Sequence, residues 1–391
     1  MTAPGDKVNE DGLLEAGPHR IVPPCRHFPE CGGCQLQHID DDAFGAFLVD
    51  RVNSALAAQN IPAPDILTPH ISPPVSRRRA SLRCERRGNH VQLGFNAGQS
   101  HRIVDMRECF ILRTELFALV EPLRKLMGQL IGPRGNGGVR MTLTDQGADI
   151  LLEKVSVDGL EASEALTAFA QTYRLARLSI DDGYGVQTRW EPEPVTITIG
   201  GIPVSFPHGA FLQATAEGEA ALITAVKEAV GPARIVADLF AGLGTFALSI
   251  EGRVLAAEAA RDSILALKSA ADRAQRPVFT DHRDLFRNPY DARELGRFEA
   301  VVIDPPRAGG REQVGRLAAS PVPRIASVSC NPATFARDAR ILIDGGYRLD
   351  WVKPVGQFRW STHVELVGAF SRWSINSDIR EPCPKARRSA V

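Results

Sequence analysis

The stretch RIVADLFAGLGTF (residues 234–246) decides the fold of this chain. It opens with a short apolar run that reaches Asp238, and Gly242 and Gly244 follow before the helix-like text GTFALSIE. A strand, a glycine turn and a helix in this order predict one unit of a parallel sheet. Glycine at the turn lets a ligand approach the backbone closely, because no side chain stands in the way.

The same alternation continues from about Ile202 onwards. RVLAAE is followed by RDSILALKSAADRA, PRIASVSC is followed by TFARDARILID, and FEAVVID and HVELVGAF read as further strands. Strands and helices in alternation predict an α/β domain with a parallel sheet covered on both faces. Ligands of such sheets bind at the carboxyl ends of the strands. Residues directly after each apolar run are therefore the candidates for function.

A carboxylate that follows the next apolar run suggests an adenosine cofactor. Glu258 lies twenty residues after Asp238 and can accept hydrogen bonds from both hydroxyls of a ribose. Gly242, Gly244 and Ala247 also satisfy the loose fingerprint of nicotinamide dinucleotides, and a plain helix turn beside a solvated Glu258 is a third interpretation. Only the chemistry further along the chain separates these alternatives.

Two later strand ends carry unusual polar residues, Asp304-Pro305-Pro306-Arg307 and Cys330-Asn331-Pro332. Neither suits hydride transfer. Both suit a nucleobase that has left its stack, because paired prolines rigidify a loop and remove backbone donors. Taken singly, a cysteine after a buried strand is more often a small core residue than a nucleophile.

The combination of a thiol with a late carboxylate points to carbon 5 of uracil. This carbon is too weakly nucleophilic to take a methyl group until a nucleophile has added at carbon 6, and a thiolate is suited to that addition. A base must then remove the proton from carbon 5. Glu365, at the start of the last apolar strand, is the candidate base and His363 is its rival.

With these motifs, the chain resembles the RNA uracil-5-methyltransferases, which make 5-methyluridine in transfer and ribosomal RNA. The resemblance runs from Cys25 to about Phe370. It implies a Rossmann-like class I domain that uses S-adenosylmethionine (SAM), a strand-rich central domain and an N-terminal iron–sulfur segment. It makes Cys330 the nucleophile and Glu365 the base. The cofactor and base site that it implies comprises Gln213, Phe240, Gly242, Gly244, Glu258, Asp304 and, near the adenine, Asp284.

The chain departs from the family pattern at two positions. Thr215 stands two residues after Gln213, where the family usually has Asn, and Thr245 stands where Asn is frequent. The departures affect single hydrogen bonds and leave the reaction class unchanged.

Four cysteines form a candidate metal site. Cys25, Cys31 and Cys34 are separated by five and two residues, and Cys109 follows after 74 more. Four thiolates can hold zinc or an iron–sulfur cluster, and three close cysteines with a distant fourth favour a cubane. The resemblance implies a [4Fe–4S] cluster, with a structural or RNA-orienting role. Cys84 and Cys383 are assigned no function.

The charge distribution predicts an RNA partner. The 391 residues carry 46 Lys plus Arg and 46 Asp plus Glu, so the net charge is zero. Between His70 and Arg113, however, nine arginines face three acids. Such a patch gives sequence-independent affinity for phosphates, although a solvated strand face is the alternative. Its arginines are Arg77, Arg78, Arg79, Arg83, Arg86, Arg87, Arg102, Arg107 and Arg113.

We expect 23S ribosomal RNA rather than transfer RNA as the substrate. By the resemblance, iron–sulfur ligands favour the ribosomal branch, although the 24 residues before Cys25 are too few for the β-barrel module that ribosomal members often bear. Phe211 is a candidate to stack on the flipped base. An exocyclic amino-methyltransferase and a non-catalytic RNA-binding or redox protein are the competing hypotheses.

Composition divides the chain into five segments. They are a flexible tail (1–20), an iron–sulfur and Arg-rich RNA-binding segment (21–112), a mixed α/β central domain (113–200), the methyltransferase domain (201–375) and a second flexible tail (376–391). No stretch approaches the roughly 18 apolar residues of a membrane span, and no secretion signal is recognisable. We therefore expect a cytoplasmic protein, without a membrane partner and monomeric.

Overall fold

The computed structural model describes residues 2–9, 14–157 and 159–372. Its helices are α1 Asp41–Ala57, α2 Thr114–Phe117, α3 Val120–Leu130, α4 Gly159–Thr172, α5 Ala216–Val230, α6 Arg261–Arg273, α7 Ala292–Leu295, α8 Arg311–Ala318 and α9 Pro332–Asp344. Its strands are β1 Lys7–Val8, β2 Leu14–Glu15, β3 Asp65–Ile66, β4 His70–Ile71, β5 Arg79–Arg87, β6 His90–Gly94, β7 Asn136–Thr144, β8 Gly147–Glu153, β9 Arg177–Asp181, β10 Val186–Trp190, β11 Thr196–Ile199, β12 Ile202–Ser205, β13 Ile235–Leu239, β14 Arg253–Glu258, β15 Val278–His282, β16 Ala300–Ile303, β17 Arg324–Ser329, β18 Tyr347–Gly356 and β19 Glu365–Arg372.

The larger sheet confirms the predicted α/β class. Its strand order is β15-β14-β13-β16-β17-β19-β18-β3, and β4 also pairs with β18. The five strands from β13 to β17 are parallel, so their carboxyl ends meet at one edge. Both faces are buried: the neighbours Val301 and Val302 are each 0% exposed but belong to opposite cores. Continuous apolar runs are the sequence signature of such doubly covered strands.

The direction of β19 differs from the prediction of a purely parallel sheet. β19 runs antiparallel to both of its neighbours, β17 and β18. Only residues 357–364 connect β18 to β19, and a parallel crossover needs about a dozen residues or more. The short connection therefore forces the last strand to turn back.

The segment GTFALSIE forms successive turns rather than the predicted helix. Gly244 has φ +90°, a conformation that no helix accommodates. The buried Asp238 carboxylate accepts a hydrogen bond from the Ala247 backbone N–H at 2.9 Å, one of the donors that the start of a helical segment leaves without an internal partner.

The central domain is strand-rich, as predicted, and its sheet has the order β10-β9-β8-β7-β5-β6. The division predicted between residues 112 and 113 runs through this sheet, because Leu82 of β5 pairs with Val139 of β7. The division at residue 200 runs through the β11–β12 hairpin. Helix α3 covers the sheet with Leu123 and Met127, so residues from both predicted segments share one core.

Described residues within the predicted N-terminal tail form hydrogen bonds with one another. The Asp6 carboxylate accepts hydrogen bonds from the Gly17 backbone at 2.8 Å and from the Arg20 guanidinium at 2.6 Å. Further on, Phe44 and Leu48 of α1 are fully buried against the larger sheet, which β3 and β4 extend. The predicted tail at 376–391 lies outside the described residues.

Among the helices in the described ranges, none combines the length and the apolar character that crossing a membrane requires.

Candidate active site

The end of the β17–β19 ladder brings the candidate nucleophile and the candidate base together. Ser329, the last residue of β17, pairs with Leu366 of β19. One further step of the same antiparallel register places Cys330 opposite Glu365. Both side chains line the same cleft, where Cys330 is half-buried and Glu365 is only 7% exposed.

Local sequence holds Cys330 at this position. The next residue, Asn331, caps α9 by accepting a hydrogen bond from the Ala333 backbone at 3.1 Å, and Pro332 occupies the first helical position. Both residue types favour the start of a helix. The thiol therefore stands between the end of a strand and the start of a helix, where the helix dipole favours a thiolate.

The surroundings of Cys330 nevertheless favour the protonated thiol. Burial raises its pKa to about 11, the carboxylates of Glu365 and Asp304 add to this effect, and Arg307 opposes it. At neutral pH the thiol keeps its proton. A cation bound beside the carboxylates would lower the pKa of Cys330 and favour the nucleophilic form.

Glu365 is tuned towards proton exchange near neutral pH. Burial raises its pKa to about 7, against the opposing influence of a hydrogen bond from Gln357 and of the nearby Arg79 charge. A base with a pKa near the working pH is effective in catalysis. For the rival base, His363, burial and the charges of Arg307 and Arg77 lower the pKa below its usual value.

Two further buried carboxyl groups, those of Asp304 and Asp238, lie near this pair. Burial, Glu365 and Asp238 together raise the pKa of Asp304 well above its usual range. Asp238 is 0% exposed, burial raises its pKa to about 7, and its Oδ1 has no hydrogen-bond partner among the described residues. Perturbed carboxyls that converge on one edge of a sheet are typical of a functional site, and their charge favours a cationic ligand.

The turn after β13 requires glycine at positions 242 and 244 for different reasons. Gly242 has φ +56°, and a Cβ there would meet open space, so a ligand can approach the backbone. At Gly244 a Cβ would lie 2.4 Å from Leu267 Cδ1, so packing excludes a side chain. Phe240, just before the turn, adopts φ +65° and contacts Phe286, with the ring centroids 5.3 Å apart.

Glu258 and Asp284 lie at the ends of the neighbouring strands and bind backbone groups. Glu258 closes β14, and its carboxylate accepts hydrogen bonds from the N–H groups of Gly242 at 2.9 Å and Ala260 at 2.7 Å. Asp284 follows β15 and accepts a hydrogen bond from the Phe286 N–H at 3.0 Å. Glu258 thus holds the glycine turn in place as well as standing where a ribose is expected.

Gln213 is buried, and its amide oxygen accepts a hydrogen bond from Gln357 Nε2 at 2.8 Å. Sequence reasoning missed Gln357, although it follows β18 directly and the rule of polar strand ends could have identified it.

Thr215, the departure from the family pattern, caps α5 by accepting a hydrogen bond from the Gly218 N–H at 3.0 Å. It is also hydrogen-bonded to Ser72 at 2.8 Å.

The cleft that holds Cys330 and Glu365 has a volume of about 1050 Å³. It is large enough for a nucleotide and its neighbours. Phe211 lies on its wall, 59% exposed, with the Arg79 guanidinium 4.8 Å from the ring centroid. Arg79 Nε is buried and has no hydrogen-bond partner in the described part of the chain. A flat ring beside a guanidinium with an available N–H group suits a base and its phosphate.

The nine arginines do not form one surface, which corrects the predicted patch. Several are bound within the protein, for example Arg78 to Glu219 at 2.6 Å and Arg86 to the Ile131 carbonyl at 2.9 Å. Of the nine, the cleft is lined by Arg77, Arg79 and Arg83. The sequence cannot separate the two groups, because an arginine that binds a carbonyl looks the same as one that faces solvent.

The four predicted metal ligands lie together, whereas Cys84 is buried in the central core. Cys25, Cys31, Cys34 and Cys109 all line one small pocket, and burial raises the pKa of Cys34 to about 12. Within the described residues, no three His, Cys, Asp or Glu side chains already stand in a metal-binding arrangement. Cys383 lies outside the described residues.

The chain is similar to known RNA methyltransferases. The chain is 53% identical to an uncharacterized RNA methyltransferase of Zymomonas mobilis, over 95% of this chain and 94% of the relative. It is 31% identical to the 23S rRNA (uracil(1939)-C(5))-methyltransferase RlmD of Shewanella frigidimarina, over 92% of this chain and 84% of that protein. No protein-family model matches the chain.

A solved structure shows the same fold. The tRNA (uracil-54, C5)-methyltransferase of Pyrococcus abyssi, in complex with S-adenosyl-L-homocysteine, matches with a TM-score of 0.71 and 20% identity, over 94% of each chain. The extent and identity of the curated relatives, together with the paired thiol and carboxylate at the strand ends, lead to one conclusion: the chain belongs to the RNA uracil-5-methyltransferase family.

Proposed function

We propose that this protein transfers the methyl group of SAM to carbon 5 of a uridine in RNA, with 23S ribosomal RNA as the substrate. The observation that carries the proposal is the juxtaposition of Cys330 and Glu365 at the end of the β17–β19 ladder. A nucleophile that adds to carbon 6 and a base that removes the proton from carbon 5 must act on adjacent ring atoms. Two groups on facing strand ends meet this demand.

The proposed reaction has three steps. The Cys330 thiolate adds to carbon 6, which makes carbon 5 an enolate carbon able to attack the methyl group. The bond between the methyl carbon and the sulfonium sulfur breaks and leaves S-adenosylhomocysteine. Glu365 then takes the proton from carbon 5, and the bond between Cys330 and carbon 6 breaks, which releases the thiolate and the methylated base.

The cofactor site that we propose lies at the carboxyl ends of β13 to β16. Gly242 offers backbone next to open space, Glu258 and Asp284 stand at the ends of the next two strands, and Phe240 lies beside them. Asp304 and the neighbouring carboxyls would compensate the positive charge of SAM. S-adenosylhomocysteine in the Pyrococcus structure with the same fold supports a SAM site.

The RNA would enter through the cleft. We propose that Phe211 stacks on the flipped uracil or its neighbour, and that Arg77, Arg79 and Arg83 contact the phosphates. The Shewanella relative, named for carbon-5 methylation of uracil in 23S ribosomal RNA, supports the ribosomal substrate. The structural neighbour named for transfer RNA does not decide the choice of RNA, because its identity is only 20%.

We also propose that Cys25, Cys31, Cys34 and Cys109 hold a [4Fe–4S] cluster. The donor set fits, because all four thiols line one pocket, although their side chains would have to converge to bind. Burial lowers the pKa of the neighbouring Arg77, and the charges of the cysteines oppose this effect. The positive charge of Arg77 would balance the negative charge of a cluster bound by thiolates. Cys31 lines both this pocket and the catalytic cleft, which supports an RNA-orienting or structural role.

Replacing the nucleophile tests the proposed chemistry and substrate together. We expect wild-type protein with SAM to form a denaturation-resistant adduct with a 23S fragment containing 5-fluorouridine, because fluorine at carbon 5 cannot leave as a proton. Cys330→Ala should form no adduct and show no turnover. Cys84→Ala, which changes a buried core cysteine, should retain both. An active Cys330→Ala enzyme, or an adduct with transfer RNA but not with the 23S fragment, would contradict the proposal.

Replacing each candidate base identifies the group that removes the proton. Glu365→Gln should lower kcat by about 10²- to 10⁴-fold, the usual contribution of a positioned base, and should accumulate a methylated adduct on ordinary uridine RNA. His363→Ala should retain most turnover and release its product. The reverse pattern would make His363 the base.

The pH dependence follows from the ionisation of Glu365. Its carboxylate is the active form, and its pKa lies at about 7. Single-turnover product release should therefore rise with pH from about 6 and level off above about 8. A rate that is independent of pH across this range would exclude Glu365 as the group that limits release.

Metal analysis tests the cluster without reference to activity. Protein purified without oxygen should contain iron and acid-labile sulfide, about four of each per chain, and absorb visible light. Cys31→Ser should lose most of both, whereas Cys84→Ala should retain them. Stoichiometric zinc in place of iron, or equal iron in the two variants, would overturn this proposal.

A further inference from the structure

The backbone carbonyl of Trp360 joins two segments that are distant in the chain. It accepts hydrogen bonds from the backbone N–H groups of Gln35 at 2.7 Å and Leu36 at 2.8 Å. These two residues end the cysteine segment, residues 25–36, whereas Trp360 lies in the connection between β18 and β19, residues 357–364. A carbonyl oxygen has two lone pairs, so one atom can hold both donors.

The side chain of Trp360 strengthens the same joint. It is 5% exposed and forms a small buried cluster with Cys34 and Ile111, against which Cys109 and Phe110 pack. An indole ring brings a large apolar surface to such a cluster. Two of the four predicted metal ligands, Cys34 and Cys109, therefore pack in the same cluster as the tryptophan of the connection.

The backbone of Trp360 adopts an unfavourable conformation in this position. Its φ is +60°, in the left-handed region that residues with a side chain rarely adopt. Such a conformation persists where the surroundings enforce it. The preceding Arg359 is held from outside the connection, because its guanidinium donates to the Ser72 carbonyl at 3.2 Å and to the Asp41 carboxylate. Contacts with other segments therefore determine the course of the connection here.

The two joined segments line adjacent parts of the catalytic cleft. From the cysteine segment and from the connection, respectively, the cleft lining includes Gly32, Gly33 and Gln35, and Ser361, Thr362 and His363. Glu365 is held separately, because it pairs with Val355 in the β18–β19 ladder. The joint at Trp360 therefore sets the wall of the cleft and leaves the candidate base in place.

Arg77 provides a second link between these segments. Its guanidinium lies 5.3 Å from the ring centroid of Phe358, in the connection, and 5.6 Å from that of Phe95. Phe95 in turn packs beside the cysteine segment, since a Cβ on Gly33 would lie 3.4 Å from its ring. Arg77 also lines the cleft. A cation held between the two segments gives this wall affinity for phosphates.

We infer, on the basis of the proposed RNA-binding function of the cleft, that Trp360 is a positioning residue that joins the cysteine segment to the β18–β19 connection and makes them one RNA-binding wall. A change in the cysteine segment should then weaken RNA binding through Trp360. The proposed SAM site should be unaffected, because it lies at the carboxyl ends of β13 to β16.

The test compares Trp360→Ala, Cys34→Ser and the double variant as full-length proteins purified without oxygen. Trp360→Phe keeps a ring and should restore most of the function. Trp190→Ala is the matched control, because Trp190 is a partly buried tryptophan of the central domain whose indole donates to the Leu175 carbonyl at 3.1 Å. The measurements are RNA affinity by fluorescence anisotropy with S-adenosylhomocysteine present, KM and kcat for a 23S fragment, and SAM affinity by calorimetry.

We expect the dissociation constant and KM for RNA to rise about tenfold in Trp360→Ala and in Cys34→Ser, while kcat and SAM affinity stay within about twofold of wild type. The double variant should also lose about tenfold rather than about a hundredfold, because both changes act through one joint. Trp190→Ala should change none of these quantities.

Hydrogen exchange tests the joint without RNA. The Ser361 backbone N–H donates to the Phe358 carbonyl at 2.9 Å, within the connection. Its exchange should be about tenfold faster in Trp360→Ala and in Cys34→Ser, and unchanged in Trp190→Ala.

The outcomes separate the joint from the proposed function. If wild-type protein forms the RNA adduct but either Trp360→Ala or Cys34→Ser binds RNA as tightly as wild type, the shared wall is overturned and the function stands. Losses that multiply in the double variant would also refute the coupling. If wild-type protein binds no RNA, the proposed function and the RNA-binding wall both fail, whereas exchange at Ser361 still shows whether Trp360 joins the segments. A loss of SAM affinity and kcat that Trp190→Ala reproduces would reduce Trp360 to a structural role.

Discussion

The active site depends on one antiparallel strand pair at the edge of a parallel sheet. β19 is forced to turn back because only residues 357–364 separate it from β18, and its reversed direction brings its first residue to the end of β17. A parallel strand in the same place would present its last residue there. The thiol of Cys330 and the carboxyl of Glu365 therefore meet because of chain direction, and the remaining parts of the site are arranged around them.

Both groups must lose a proton before they can act, but they differ in how readily they lose it. Burial and neighbouring acids hold Cys330 as a thiol, whereas Glu365 is near the midpoint of its titration at neutral pH. Each would be favoured in its active form by positive charge in the cleft. Arg79 supplies part of this charge, and a sulfonium cofactor with an RNA substrate would change the balance further.

Much of this arrangement could be predicted from the sequence. Asp238, Glu258, Asp304 and Cys330 each close or follow a buried apolar run, and a parallel sheet brings such positions to one edge. Local patterns could not supply the direction of β19, because an apolar run looks alike in either direction. Gln357 fits the rule of polar strand ends, because it directly follows β18, but its partner Gln213 is distant in the chain and is identified only by the fold.

Long-range pairing explains the other differences. The arginines near β5 carry the same charge in the sequence, but Arg78 and Arg86 find partners distant in the chain while Arg79 and Arg83 face the cleft. The division at residue 112 was drawn from composition, yet β5 and β7 pair across it. In each case a contact between distant residues outweighs the local pattern.

The most direct test of the account is the fate of the hydrogen on carbon 5. RNA carrying tritium on carbon 5 of its uridines would be incubated with the enzyme and SAM, and methyl incorporation would be followed together with tritium released to water. The account predicts that tritium is released in step with methyl transfer and that the product is 5-methyluridine. Methyl transfer without tritium release, with the methyl group on an exocyclic nitrogen instead, would contradict it.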